Sequence, residues 1–547
     1  MPHLTRLFIV CFAIVWTTAT GASEIAGKPD GAELAVVDAG KSTARIVVSP
    51  TAGEWEKHAA SDLAKYVQQM SGAAVEIVSA ADAVATAMEE KSAPVLFVGQ
   101  AALVADPSLK DALAKAAKPN PVLRADAIVV RRAGNRVYLA GNNDDAHYYA
   151  VVELLSRWGC RWYMPTEFGE CVPRQPTLKV GQLDRAYGPP FEARGFWLAW
   201  NGDRTGHEEF LRRNFMNKVK VPSGHALGHH VKELIPKGKT AFNVPISDEA
   251  TAQHVAKKVA PTFAKGDHVM LGLDDGVYIS DSPTDKELMA LQYDKYFMTP
   301  SYTDAFLTFY NRVAELLREQ HPQSKSKIGF LIYANITMPP VRVTEAKEPL
   351  VGYLAPIDFD PIHGMNSPLS ANAREYRDLF YKWAKVMNGR MVIYDYDQSM
   401  LVWRDLPNPS HQMFRENVKH YAKAGILGVD TESRGAMATV FTNLYLRGQL
   451  MWNPGLDVDA ALADFYVRFY GPLARPMAKY WGAIFKAWEQ TIVSEHEYFV
   501  APAVYTPELM KELREHLEGA YALVSRLAAE EALSRAPNPT GLGMDAR

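Results

Sequence analysis

Two adjacent carboxylates, Asp274 and Asp275, close an apolar run and precede a glycine in Leu271-Gly272-Leu273-Asp274-Asp275-Gly276. Val269, Met270, Leu271 and Leu273 have the character of a buried parallel strand. Ionisable groups at the carboxyl end of such a strand are where β/α barrels keep their chemistry. Carboxylates so placed can pass protons or stabilise a developing positive charge. The alternative is that both cap the next helix or lie in water, since Asp is a common turn and cap residue.

Other side chains with chemical potential stand near the ends of strand-like runs. Tyr394-Asp395-Tyr396-Asp397 follows one, Asp358 and Asp360 follow another, and Trp197 and Trp200 lie near a third. Tyrosines offer an apolar face with a polar edge, so Tyr394 or Tyr396 could line a pocket, and so could the two tryptophans; packing in the core is the equal alternative. His225, His229 and His230 raise the question of a metal. Ala226-Leu227-Gly228 is a poor helix former and no acidic third ligand stands at a fixed spacing, so no metal is expected. Gly-rich phosphate loops and a Gly-x-Ser-x-Gly nucleophile motif are missing, and no cofactor is expected.

Positioning these residues requires a barrel. From Gly188-Pro189-Pro190 onward, strand-like and helical runs alternate over roughly 265 residues, near the ~250 typical of an eight-stranded β/α barrel. The strand candidates are 193–198, 218–221, 241–244, 269–273, 328–333, 350–354, 391–394 and 426–429. Before them, from Glu33 to about Pro173, short β-rich runs alternate with helices in a small α/β domain. One helix there shows Trp55, Ala59, Leu63, Tyr66, Val67 and Met70 at helical spacing with a stop at Gly72, and Gly134-Asn135 predicts a hairpin. Beyond Ala436 the pattern is helical. The expected division is a signal peptide over 1–22, an accessory α/β domain over 23–188, a β/α barrel over 189–455, and a helical region with a loose tail over 456–547.

At 547 residues the chain is too long for one compact core, and 48% hydrophobic with 22% charged residues is an ordinary globular composition. A formal net charge of −3 gives no polyanion-binding surface, so nucleic acid is not expected as a partner. His3 and Arg6, the apolar run from Leu7 to Trp16 and the small residues ending at Ala22 read as a secretory leader cut after Ala22. The protein is therefore expected to be exported, periplasmic or secreted, without a membrane anchor in the mature chain. Cys160 and Cys171 could bridge in an oxidising compartment or be two separately buried thiols.

Two segments carry a resemblance. Lys57 to Tyr66, closing on Ser71-Gly72, is similar to a helix of the non-catalytic domain that precedes the barrel in family 67 α-glucuronidases and family 20 β-hexosaminidases. Tyr148 to Leu155, followed by Gly159 to Pro165, resembles the segment that ends that domain. Over about residues 33 to 490 the chain resembles exported bacterial proteins whose barrel is catalogued as domain of unknown function 4838. Asp275-Gly276, Leu450 to Pro454, Asp457 to Asp459 and Phe469-Tyr470-Gly471 carry that likeness.

The resemblance implies site roles. Arg194-Gly195 matches an Arg-Gly pair on the first barrel strand of family 20 enzymes, whose Arg holds sugar hydroxyls. Gly272-Leu273-Asp274-Asp275 matches their Gly-Gly-Asp-Glu, with Asp in the position of the general-acid Glu. Glu432 matches the glutamate at the end of their eighth strand, which holds the sugar. Glycoside hydrolysis needs one carboxylic acid at the leaving oxygen and a second group at the oxocarbenium-like centre. Asp274, Asp275 and Glu432 supply enough carboxylates. Asp275 is the candidate acid, because a carboxylate crowded by Asp274 and partly desolvated suits proton donation; Asp274 would polarise a water or a substrate amide. Arg194, Tyr394, Tyr396, Trp197 and His225 are the candidate substrate contacts. The expected function is cofactor-free hydrolysis of O-glycosidic bonds in a poly- or oligosaccharide. The rival is a carbohydrate-binding protein that kept the barrel and lost catalysis, which the Asp in place of Glu favours.

Overall fold

The computed structural model describes residues 25–26, 33–199, 204–397, 406–434, 437–492 and 500–535. The expected leader and Trp200 lie outside these residues.

Residues up to Tyr187 build a seven-stranded mixed sheet in the order Ile25–Ala26, Asp184–Tyr187, Ile128–Ala133, Arg136–Gly141, Val95–Val98, Arg45–Val47, Glu76–Val78. The hairpin expected at Gly134-Asn135 joins Ile128–Ala133 to Arg136–Gly141, with Gly134 in the left-handed region at φ +60°. Helix Glu54–Ser71 buries Trp55, Ala59, Leu63, Tyr66, Val67 and Met70 and stops at Gly72, φ 79°. It packs beside helix Asp144–Arg157 in one apolar cluster, while Val47, Val95 and Phe97 face a second cluster with the short helices over 83–116. Cys160 packs beside Met70, and Cys171 approaches the carbonyl of Arg468; both thiols are free.

The second sheet is parallel throughout. Its order is Ala193–Ala199, Gly428–Arg434, Met391–Tyr396, Leu350–Leu354, Ile328–Ile332, Val269–Met270. The first strand pairs with the last, as a barrel requires: Ala193 lies opposite Gly428 and Trp197 opposite Glu432. Six of the eight anticipated strands form.

The opening between the first strand and Val269–Met270 is filled without a regular ladder. Residues 218–221, anticipated as a strand, run there as irregular chain and continue through Pro222-Ser223-Gly224 to a single bridge between His225 and Gly272. Pro222 cannot donate to a ladder. Two glycines let the segment pass close: a Cβ at Gly272 would stand 1.9 Å from the Ser223 carbonyl oxygen, and one at Gly329 2.1 Å from that of Pro222. The other unformed strand, 241–244, is a 3-10 turn over Ala241–Asn243. The Asn243 side chain accepts from the Thr240 backbone and hydroxyl, and Phe242 lies on Tyr278 and over Gly276.

Helices Met437–Trp452, Val458–Tyr470, Ala474–Gln490 and Pro507–Arg535 follow the last strand, and Trp481, Ile484, Trp488 and Leu513 join the apolar cluster of the barrel. Trp452 is fully buried, stacks on Phe215 at 4.6 Å and meets Tyr187 of the first sheet. Among the described residues no helix is long and apolar enough to cross a membrane.

Candidate active site

Side chains alternate along a strand, so each strand of the parallel sheet aims every second residue inward. On Gly428–Arg434 these are Asp430 and Glu432; on Met391–Tyr396, Tyr394 and Tyr396; on Ala193–Ala199, Gly195 and Trp197. The register sets Glu432 level with Trp197 and Tyr396, and Asp430 level with Gly195 and Tyr394. All but Gly195 line one cavity of about 520 Å³ at the carboxyl ends of the strands. The loop after Val269–Met270 adds Asp275, the irregular segment adds Lys220, Ser223 and His225, and the neighbouring strand ends add Tyr333 and Tyr353.

The polar contacts within it are specific. Tyr394 donates its hydroxyl to Glu432 Oε2 at 2.8 Å. His225 Nδ1 lies 2.5 Å from the carbonyl oxygen of Leu273, and its Nε2 lies 3.2 Å from Asp275 Oδ1. A carbonyl can only accept, so Nδ1 carries a hydrogen, and Nε2 is the ring atom that faces the Asp275 carboxyl group. Lys220 Nζ stands 3.9 Å from Asp430 Oδ2. Burial raises the Glu432 pKa; the Tyr394 hydrogen bond opposes this and the Asp275 charge adds to it. Burial likewise raises Asp430, against Lys220. The Tyr333 hydroxyl is pushed up to about 12, by burial first and then by the Asp275 carboxylate to which it hydrogen-bonds.

Three expectations are corrected. Arg194 is outside the cavity and 0% exposed: its guanidinium donates to Asp126 Oδ2 at 2.7 Å, to the Phe215 carbonyl at 2.8 Å and to that of Phe191 at 2.8 Å. With Trp197 inward on the same strand, Arg194 must point outward, and it holds the first sheet rather than a sugar. Asp274 does not line the cavity either. Its Oδ2 accepts from Gly228 N at 2.7 Å at the start of helix Leu227–Val231 and from the Tyr278 hydroxyl at 3.2 Å, which is a capping role. Asp275 does reach the cavity, but its side chain is 71% exposed, so the desolvation expected to fit it as the acid is missing.

The lesser carboxylates divide. Asp395 pairs with the buried Arg447, Asp397 accepts from Ser433 Oγ at 3.0 Å, and Asp360 holds His363 at 2.7 Å; all three point away from the cavity. Asp358, on the loop after Leu350–Leu354, is pushed up to about 6 by burial and by the charge of Asp294, and its Oδ2 has no hydrogen-bond partner among the described residues. Asp430, Lys220, Tyr333 and Tyr353 were not anticipated. The alternation that places Glu432 inward was a usable signal for Asp430, two residues earlier. Among the described residues no three His, Cys, Asp or Glu side chains form a metal-binding group.

Residues 244–482 match the family described as "Domain of unknown function (DUF4838)". The resemblance carried by Asp275-Gly276 and Leu450 to Pro454 therefore leads to the same family, over the greater part of the barrel. No curated protein matches the chain. Among solved structures it is similar to a family GH115 4-O-methyl-α-glucuronidase with specificity for decorated arabinogalactans, at 13% identity and a TM-score of 0.53, over 89% of this chain and 69% of that one. It is also similar to a chitobiase of Flavobacterium johnsoniae, at 10% identity and a TM-score of 0.42, over 87% of this chain and 75% of that one. The first of these likenesses shows a glycosidase-like α/β fold with a barrel-type parallel sheet.

Proposed function

We propose that this protein is an exported glycoside hydrolase that cleaves O-glycosidic bonds of a poly- or oligosaccharide with its own carboxyl groups and no cofactor. The observation that carries the reading is the meeting of Asp275 and Glu432, two carboxyl groups in unlike surroundings, in one cavity walled by Trp197, Tyr333, Tyr353, Tyr394 and Tyr396. Aromatic faces suit the apolar faces of a pyranose, and the hydroxyls and Lys220 suit its edge.

When two carboxyl groups differ in environment, the one whose proton affinity is raised serves as the acid. Here that is Glu432, half-buried among tyrosines, which would give its proton to the leaving oxygen as the glycosidic bond breaks. Asp275, exposed and held by His225 and Tyr333, would be the partner that stabilises the oxocarbenium-like centre or takes a proton from the attacking water. This moves the acid role expected for Asp275 to Glu432. Tyr394, Tyr396, Trp197 and His225 keep their proposed place as sugar contacts.

The test is product release from a panel of glycans by the purified full-length protein. Release by the wild type, with binding kept and turnover lost in Asp275→Asn, supports hydrolysis; binding without turnover in the wild type supports the carbohydrate-binding rival. Export rests on residues 3–22 and is tested by the mature N-terminus: a chain starting near Ser23 in periplasmic or secreted material is expected, and an intact Met1 on cytosolic protein would contradict it.

A further inference from the structure

Residues 217–226 stand in the opening of the parallel sheet, and six of them, 220–225, line the cavity. A segment without a ladder has few main-chain bonds to fix it, so its side-chain anchors decide where it lies. Its far end is tied by Ala226 N and Leu227 N to the Gly272 carbonyl at 3.0 and 2.9 Å, and its middle by Val221 N to the Tyr353 hydroxyl at 2.9 Å. At the near end Asn217 N donates to the Arg194 carbonyl at 2.7 Å, and the buried Asn217 carboxamide adds four side-chain contacts. Asn217 Oδ1 accepts from Arg194 N at 3.2 Å and Val219 N at 3.1 Å, while its Nδ2 donates to the Glu192 carbonyl at 2.9 Å and to Asp126 Oδ2 at 3.2 Å.

Asp126 belongs to the other sheet's chain, two residues before strand Ile128–Ala133, and is 1% exposed. Its Oδ2 also takes Arg194 Nη2 at 2.7 Å, and its Oδ1 takes Asn143 Nδ2 at 2.8 Å and faces Arg124 Nε at 3.0 Å. Burial alone would raise its pKa; Arg194 and Arg124 more than offset that and hold it below the usual value. One ionised carboxylate of the amino-terminal α/β part thus grips both the first barrel strand and the start of the irregular segment.

We propose that Asp126 and Asn217 are positioning residues: Asp126 fixes the Asn217 carboxamide, and Asn217 sets the segment that brings Lys220, Ser223 and His225 to the cavity. The amino-terminal part is then a working part of the site and not only a neighbour of it. The consequence for turnover rests on the cavity being the sugar site; the consequence for His225 does not.

The experiment compares Asn217→Ala with Asn143→Ala in the full chain. Asn143 shares Asp126 but leads to the cap of helix Asp144–Arg157, away from the cavity. Two readouts are taken: the ring nitrogen shifts of His225 in ¹⁵N-histidine-labelled protein, and kcat/KM on whichever 4-nitrophenyl glycoside the wild type cleaves best. Asn217→Ala is expected to move the His225 signals and lower kcat/KM about tenfold or more, as small misplacements at a reacting centre do. Asn143→Ala is expected to lower stability while leaving both readouts as in the wild type. Asn217→Ser, which keeps one hydrogen-bonding group, gives the same readouts should the alanine variant fold poorly. Unchanged His225 signals in the Asn217 variants, or equal changes in Asn143→Ala, would overturn the proposal. A wild type that cleaves no glycoside defeats the functional reading alone, and the His225 shifts still decide this one.

Discussion

Glu432 and Tyr394 form the contact on which the acid role turns. A general acid must be protonated, so turnover should fall as pH rises through the raised pKa of Glu432. Tyr394 stabilises the ionised form by donating to Oε2 at 2.8 Å, and its loss should raise that pKa further. Tyr394→Phe is therefore expected to move the alkaline limb of the pH–rate profile to higher pH; a limb that stays or moves down would remove Glu432 from the acid role. Asp358 gives a second pH effect. Its folded-state pKa of about 6 exceeds the ordinary aspartate value of 3.8, so its contribution to stability is full below the unfolded value and lost as pH rises through about 6. Asp358→Asn should accordingly stabilise the protein at pH 7 relative to pH 4, by at most ~3 kcal/mol at about 1.4 kcal/mol per pKa unit. Denaturant titrations at the two pH values measure it, and equal changes at both would contradict the assignment. At this scale Asp275 is legible because it stands just past an apolar run, whereas Glu432 is reached only through the resemblance to family 20 enzymes. The sequence misleads at Arg194, where the alternation that turns Trp197 inward had to turn Arg194 outward, toward a partner 68 residues earlier in the chain.

The barrel elements depend on close passages that only glycine allows. Gly272 and Gly329 let Ser223 and Pro222 cross within contact of the sheet, and an added methyl at either would meet backbone oxygen, which cannot swing away as a side-chain tip can. Gly272→Ala and Gly329→Ala are each expected to cost about 1–3 kcal/mol, the range for overpacked sites, with Gly272→Ala also weakening the His225–Asp275 contact through the lost bridge at His225. Urea unfolding measures the cost; variants as stable as the wild type would show that the segment lies elsewhere. These two positions also explain why strands were anticipated where none form. Residues 218–221 have strand character, and nothing local reveals that they fill an opening in a sheet without joining its ladder. Ala241–Asn243 is likewise decided by the capping of Thr240 by Asn243 and by Phe242 covering Gly276. By contrast, helix Glu54–Ser71 and the Gly134 hairpin are legible because periodicity and a left-handed glycine are local signals.

The two sheets are joined through buried groups of opposite charge. Arg194 and Asp126, both fully buried, bridge them, and Trp452 lies on Phe215 and Tyr187 beside that pair. Removing one side of a buried ion pair leaves the other charge poorly compensated, here with Arg124 as the remaining cation beside Asp126, so Arg194→Ala should destabilise the molecule by about 3–5 kcal/mol and leave the cavity lining unchanged in identity. The two parts should also unfold in one transition, and calorimetry showing two well-separated transitions in the wild type would contradict the coupling. The whole arrangement serves a cavity in which burial raises the proton affinity of one carboxyl group and an imidazole and a phenol hold another. The measurement that tests this most directly is turnover by Glu432→Gln on a glycoside with a poor leaving group and on one with a good leaving group. The expected result is a loss of at least ~10²-fold on the poor leaving group, which needs the proton, with the good leaving group spared most of it. Equal and near-normal rates on both would show that Glu432 donates no proton and would contradict the account.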